Sequence, residues 1–193
     1  MKLNNINNLL ELFYYQYQKK NKKDIFLQSL KGPSKKYSWE DVYIRIIKLS
    51  EELTKHIEKD DRCLIISENR PEWMIADLAI MLTHGITVPA YTTYSERDYE
   101  YIIDDCTPSV IFVSNQTQYK KIQNIISKKN FIKKIIIFDE MNNINEESIL
   151  NIENIFKKNS YNLINFFDLK IHRKDVACII YTSGTQGNPK GVV

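Results

Sequence analysis

Glycine and proline are both scarce in this chain, five of each in 193 residues. A collagen-like or Gly/Pro-rich low-complexity protein is thereby excluded. Cysteine is scarcer still. Cys63, Cys106 and Cys178 stand far apart with no C-x-x-C pair, a spacing that argues against a disulfide scaffold and a zinc site alike. Cys63 and Cys178 sit in apolar, strand-like runs and are expected to be buried small hydrophobes. His56 and His172 have no partner at useful spacing, and His84, just before Gly85, reads as a helix C-terminal residue rather than a ligand or base. Without a Cys–His, Ser–His–Asp or paired-acid arrangement in one context, no hydrolase site is read. No apolar run approaches membrane-spanning length, and the first five residues are polar without a signal-peptide pattern, so a cytoplasmic location is expected. An excess of one charge is missing too: 27 basic and 24 acidic residues leave +3, too balanced to imply a nucleic-acid partner.

What remains is an ordinary soluble composition, 43% hydrophobic and 26% charged, long enough for one domain with a sizeable core. Ile6, Leu9, Leu10, Phe13 and Tyr17 share one face of a helix over 6–18, followed by Lys19, Lys20, Lys22 and Lys23. That face is read as packed on its own domain, with the lysines favourable at the helix C-terminus; peripheral membrane contact is the alternative. A strand is expected within 24–30. Ser38 caps a helix carrying Val42, Ile46, Leu49 and Leu53, with acids in its first turn. Residues 63–66 read as a buried strand. Pro71 then opens a helix at its favoured first position, and Gly85 ends it. Residues 86–90 form a strand, and Ser95 caps the helix of Tyr99, Ile102 and Ile103. Strands at 110–113 and 135–138 flank a helix carrying Tyr119, Ile122, Ile125 and Ile126. From 141 to 168 the chain is Asn-rich with a weaker helical pattern, and a variable excursion is expected. Apolar strands alternating with amphipathic helices argue for an α/β fold with a mostly parallel, helix-covered sheet.

Three of the five glycines, Gly184, Gly187 and Gly191, fall within eight residues near the end. Around them stand Thr182, Ser183, Thr185 and Lys190, and before them runs an apolar segment, 176–181, read as a buried strand. Glycine lets backbone approach a ligand closely. A strand feeding a Gly/Ser/Thr loop that ends in Lys can surround a phosphate chain with backbone N–H groups, hydroxyls and an ammonium. A surface hairpin merely turned by Gly187-Asn188-Pro189 is the plainer reading. A Walker loop is excluded, because Pro189 precedes Lys190 and a second strand, not a helix, follows it.

Tyr181-Thr-Ser-Gly-Thr-Gln-Gly-Asn-Pro-Lys-Gly-Val192 resembles the phosphate-binding loop of the adenylate-forming enzymes, which include acyl-CoA synthetases, luciferases and peptide-synthetase adenylation domains. One position departs: Gln186 stands where that family carries a small hydroxyl residue. Ser67-Glu-Asn-Arg-Pro-Glu-Trp73 and Gly85-Ile-Thr-Val-Pro-Ala-Tyr91 resemble the family's long-chain fatty acyl-CoA synthetase group, as does Tyr37-Ser38-Trp39. No catalysis is assigned to these middle stretches, and Arg70 to Trp73 is read as a strand-to-helix corner with a buried indole.

The resemblance implies the N-terminal part of a large adenylation domain over residues 1–193. It also implies a carboxylate activated by ATP as acyl-adenylate and passed to coenzyme A, with Mg²⁺ bridging phosphate oxygens. Thr182, Ser183 and Thr185 would give hydroxyl contacts, Gly184 and Gly187 close backbone approach, and Gln186 an amide, while Lys190 would neutralise the departing pyrophosphate. Fatty acid, ATP and coenzyme A are the implied small-molecule partners; the metal's protein ligand, the acyl pocket and the lid domain are expected elsewhere. Two alternatives stay open: a ligase for amino, aryl or short-chain acids, and a truncated binding module without catalysis. The chain stops two residues after Gly191, which reads as a fragment. Its hairpin is expected not to close, leaving a poorly folded, associating chain that is inactive alone.

Overall fold

The structure, a computed structural model, describes residues 6–30, 34–141, 147–182 and 189–193. Helix α1 (Leu9–Lys19) is capped by Asn8, whose side chain accepts from the Glu11 N–H. Strands β1 (Ile25–Gln28) and β2 (Lys36–Ser38) form an antiparallel pair. Ser38 then caps α2 (Trp39–Leu53) in a reciprocal capping box with Asp41, which satisfies two orphan backbone donors at once. Strand β3 (Arg62–Ile66) leads to α3 (Pro71–Leu82), with Pro71 at the first helical turn, and to β4 (Ile86–Ala90). A second capping box, Ser95 with Asp98, opens α4 (Glu96–Cys106). Strand β5 (Val110–Val113), helix α5 (Gln116–Ile126) and strand β6 (Lys134–Ile137) follow.

Among the described residues the main sheet has the order β4-β3-β5-β6-β7, with β7 at Ile149–Asn151, every neighbouring pair parallel. Its period-2 alternation divides the core cleanly. Cys63, Ile65, Val110, Phe112 and Ile136 face α1, α2 and α3. Leu64, Ile66, Val88, Ile111, Val113 and Ile135 face α4 and α5. Burial on both faces explains why these strands read as unbroken apolar runs. The aromatic side of α1 is turned inward: Phe13 packs against Phe26, Trp39 and Phe166, and Tyr14 and Tyr17 pack against Tyr43. No described helix is long and apolar enough to cross a membrane.

Three sequence expectations need correction here. Gly85 does not supply the left-handed residue that ends α3; His84 does, at φ 58°. The Gly85 and His84 N–H groups donate back to the Ile80 and Met81 carbonyls, the paired bonds of a Schellman stop. Gly85 is instead needed for space, since a Cβ there would lie 3.0 Å from Ile57 and from Ile80. In the Asn-rich stretch, β7 (Ile149–Asn151) adds a fifth strand, followed by α6 (Ile152–Phe156) and a 3-10 turn at Phe166–Asp168. Polar clamps hold this stretch to α2: Tyr43 donates to the Ile164 carbonyl, Lys48 to the Phe156 carbonyl, and Lys158 pairs with Glu52. Side chains 106 residues apart do work here that no local pattern announces.

The third correction concerns the corner at Arg70. The buried residue is Glu72, 1% exposed, and not the indole of Trp73, which is half-buried. Glu72 accepts from Arg70 Nε at 2.8 Å, Lys35 Nζ at 3.1 Å and Tyr37 Oη at 3.1 Å. Arg70 reaches on to Asp139 at 2.9 Å. One carboxylate thus ties the β1–β2 hairpin, the start of α3 and the end of β6 together. Burial alone would raise its pKa, but the Arg70 hydrogen bond and charge, helped by Lys35, pull it down to about 2 from 4.5. A depressed carboxyl stabilises the fold fully above its unfolded value and loses that contribution as pH falls through its folded one. Glu72→Gln should therefore cost on the order of 3 kcal/mol at pH 7 and flatten the loss of stability between pH 4.5 and 2. Urea unfolding of both proteins across that range checks it; parallel acid limbs would refute the assignment.

Candidate functional site

The stretch with the concentrated glycines is anchored to the sheet edge before it turns away. The Thr87 N–H donates to the Ala177 carbonyl at 3.1 Å, and the Ile179 N–H donates to the Thr87 carbonyl at 2.9 Å. Cys178 thereby forms a parallel bridge with Thr87 on the outer edge of β4. The expected buried strand at 176–181 is present only in part. Beyond that bridge the chain leaves the sheet as β8 (Ile180–Thr182), which pairs antiparallel with β9 (Lys190–Val192). Only Tyr181 of β8 is buried; Ile180 and Thr182 are exposed. Cys63 is fully buried as expected, whereas Cys178 is half-buried.

The hairpin does close, contrary to the expectation that two residues after Gly191 are too few. Ile180 pairs with Val192, Tyr181 with Gly191 and Thr182 with Lys190. Lys190 is itself the first residue of β9, so three registered pairs form where the sequence reading counted from Gly191. Directly paired residues present their side chains on one face, and this puts Thr182 beside Lys190, both exposed. On the opposite face the Tyr181 ring lies under Gly191, where an added Cβ would sit 2.8 Å from Ile179 Cγ2 and 3.4 Å from Tyr181 Cζ. Gly191 is required there for close approach.

Of the predicted site residues, Thr182 and Lys190 are therefore brought side by side. Ser183, Gly184, Thr185, Gln186 and Gly187 lie outside the described residues. The larger clefts are elsewhere: one of about 770 Å³ is lined by Lys35, Asn69, Arg70, Asn115 and Asp139, another of about 370 Å³ by Asp77, Met81, His84 and Cys178. Burial raises the Asp77 carboxyl in the second. Neither cleft is lined by Thr182 or Lys190, and no described group of three or more His, Cys, Asp or Glu side chains could hold a metal ion. The sequence reading missed the partner that Tyr181 finds: its hydroxyl donates to Asp105 at 2.5 Å. Nothing local marks Asp105, which sits 76 residues earlier.

Residues 13–193 match the AMP-binding enzyme family. The chain belongs to that family. It is 31% identical over 140 residues to the long-chain-fatty-acid–CoA ligase ACSBG1 of Bos taurus, covering 71% of this chain and 19% of that protein. It is 31% identical over 173 residues to long chain acyl-CoA synthetase 2 of Arabidopsis thaliana, covering 84% and 25%. The chain thus spans about a fifth to a quarter of the length of these relatives. In fold it is similar to the anthranilate CoA ligase AuaEII, solved with anthranoyl-AMP, at a TM-score of 0.80 and 20% identity over all of this chain and 36% of that one. It is similar also to a red-emitting luciferase from Phrixothrix hirtus, at 0.74 and 21% over 95% and 34%. The parallel, helix-covered sheet of this family member is the α/β fold its sequence predicts.

Gly191→Ala tests the hairpin packing. Ile179 is β-branched and stiff, so the new methyl should force the strands apart and cost about 1–3 kcal/mol locally. Amide hydrogen exchange should accelerate at 180–182 and 190–192; unchanged exchange there would show that Ile179 yields freely.

Proposed function

We propose that this chain is the N-terminal part of the adenylation domain of an AMP-forming acyl-CoA synthetase for long-chain fatty acids, and that Lys190 with the loop it bounds receives the phosphates of ATP. The observation that carries this reading is the registered pairing of Thr182 with Lys190 across the stem of a Gly/Ser/Thr-rich loop, in a chain whose curated relatives are named as long-chain-fatty-acid–CoA ligases.

In the proposed reaction a fatty carboxylate oxygen attacks the α-phosphorus of ATP. An O–P bond forms, the α–β bridging bond breaks, and pyrophosphate leaves carrying the displaced electron pair. The thiol of coenzyme A then attacks the acyl carbon, loses its proton and expels AMP. In the first step negative charge grows on the β- and γ-phosphates. Donors already fixed in place stabilise such charge without reorganising. Lys190 contributes an ammonium, Thr182 a hydroxyl beside it, and Ser183, Gly184, Thr185, Gln186 and Gly187 the remaining contacts of the loop. Strand pairing keeps Thr182 and Lys190 at one separation, so neither must be gathered by the ligand. Mg²⁺, when bound with ATP, would supply further neutralisation of phosphate charge; among the described residues no group of three or more His, Cys, Asp or Glu side chains stands together to hold it.

Substituting Lys190 by Ala in the complete polypeptide should slow ATP–pyrophosphate exchange by the equivalent of about 2–4 kcal/mol. An unchanged rate at saturating ATP would refute the role. A panel of carboxylic acids assayed by AMP release should give the highest turnover on medium or long fatty acids. Highest turnover on acetate, an aryl acid or an amino acid would move the chain to another branch of the family.

A further inference from the structure

The C-terminal end of α4 carries an arrangement that its own helix does not favour. Asp104 and Asp105 stand in the last turn, where no basic residue accompanies them. The negative end of a helix dipole disfavours carboxylates there. Asp104 finds a partner in Lys129. Asp105 has no salt bridge among the described residues and spends its acceptor on Tyr181. This end of α4 is itself fixed to the sheet, because Arg62, the first residue of β3, donates to the Cys106 carbonyl at 2.7 Å and to the Thr107 hydroxyl at 2.6 Å. Residues placed against a local preference point to a requirement from outside the element.

That requirement is legible on the hairpin. Tyr181 is the one buried residue of β8, 6% exposed, and its ring packs with the α4–α5 side of the core. Its hydroxyl reaches out of that core to Asp105, and burial and the Asp105 contact push its pKa up, so it remains a donor. Gly191 closes over the same ring. Tyr181 precedes Thr182 in β8 and is paired across from Gly191, which follows Lys190. We propose that Asp105 is a positioning residue for the phosphate hairpin: by accepting the Tyr181 hydroxyl it holds both strands of the stem against α4, and so sets where Thr182 and Lys190 stand. Its effect on nucleotide affinity rests on the function proposed above; its effect on the hairpin does not.

The experiment has two arms on the 193-residue chain. Without nucleotide, amide exchange is compared for the parent, Tyr181→Phe, Asp105→Ala, Asp105→Asn and the Tyr181→Phe/Asp105→Ala pair. Each of the first two substitutions should speed exchange at 180–182 and 190–192 about three- to tenfold, the net value of one ordinary hydrogen bond. The pair should do no more than either alone, since both remove the same contact. Asp105→Asn, which keeps an acceptor oxygen, should restore most of the protection. Amides of β3 and β5 should not change. Additive losses, or a rise spread evenly over the sheet, would overturn the proposal. In the second arm MgATP is titrated calorimetrically, and Tyr181→Phe and Asp105→Ala should weaken binding by about the same three- to tenfold. Coupled exchange with unaltered affinity would overturn the positioning role. A parent chain that does not bind MgATP would count against the nucleotide reading alone, and exchange would then decide Asp105.

Discussion

Two backbone hydrogen bonds on Thr87 make the rest of the arrangement possible. The residue is 1% exposed and lies in an edge strand. Its N–H and carbonyl, which would otherwise be open groups on that edge, are both engaged by the 177–179 backbone. An unpaired buried backbone group is costly, so the sheet edge and the approaching segment satisfy each other. The direction of the chain is set at that point, and the hairpin that follows begins from a rigid base. The placing of Thr182 beside Lys190 follows from that base.

The elements that sequence reading located well are those with strong local grammar. Both Ser-to-Asp capping boxes, Pro71 at its helix start and the apolar runs at 63–66, 86–90 and 110–113 carry their instructions within a few residues. The elements it missed are held by long-range polar contacts. Strand β7 and helix α6 are too short for their apolar pattern to stand out, and beyond the burial of Ile152, Ile155 and Phe156 they are held by Lys35 and Arg45 on Glu153 and by Asn151 donating to the Asp139 carbonyl. Glu72 was hidden for the same reason: its partners come from residues 35, 37 and 70. The site was half legible. Residue types and spacing singled out Thr182 and Lys190 as candidates, but the closure of the hairpin and the hydroxyl contact to Asp105 required three-dimensional proximity.

The charged network and the hairpin divide the molecule into two regimes. Glu72, and likewise Glu52, whose carboxyl is pulled down to about 2 by Lys158, Lys55 and His56 against its burial, bind the outer elements to the α2–α3 face. Both are well-buried carboxylates with several donors, the setting in which ionic contacts have directional force. The hairpin has no comparable ion pair among the described residues. It relies on three strand pairs, one buried ring and one hydroxyl, so its local opening should cost far less than opening the sheet.

The aromatic residues are distributed as unevenly as the charges. Trp39 stacks on Phe26 at 3.9 Å between ring centroids and lies within 5.7 Å of Phe13, and Trp73 packs into the same face. The β8–β9 hairpin contributes a single tyrosine. Indole fluorescence therefore reports on the seating of α1, α2 and α3. A protein whose tryptophan emission is fully native could still have its hairpin detached, and melting curves recorded by that emission describe the scaffold while remaining blind to the β8–β9 hairpin.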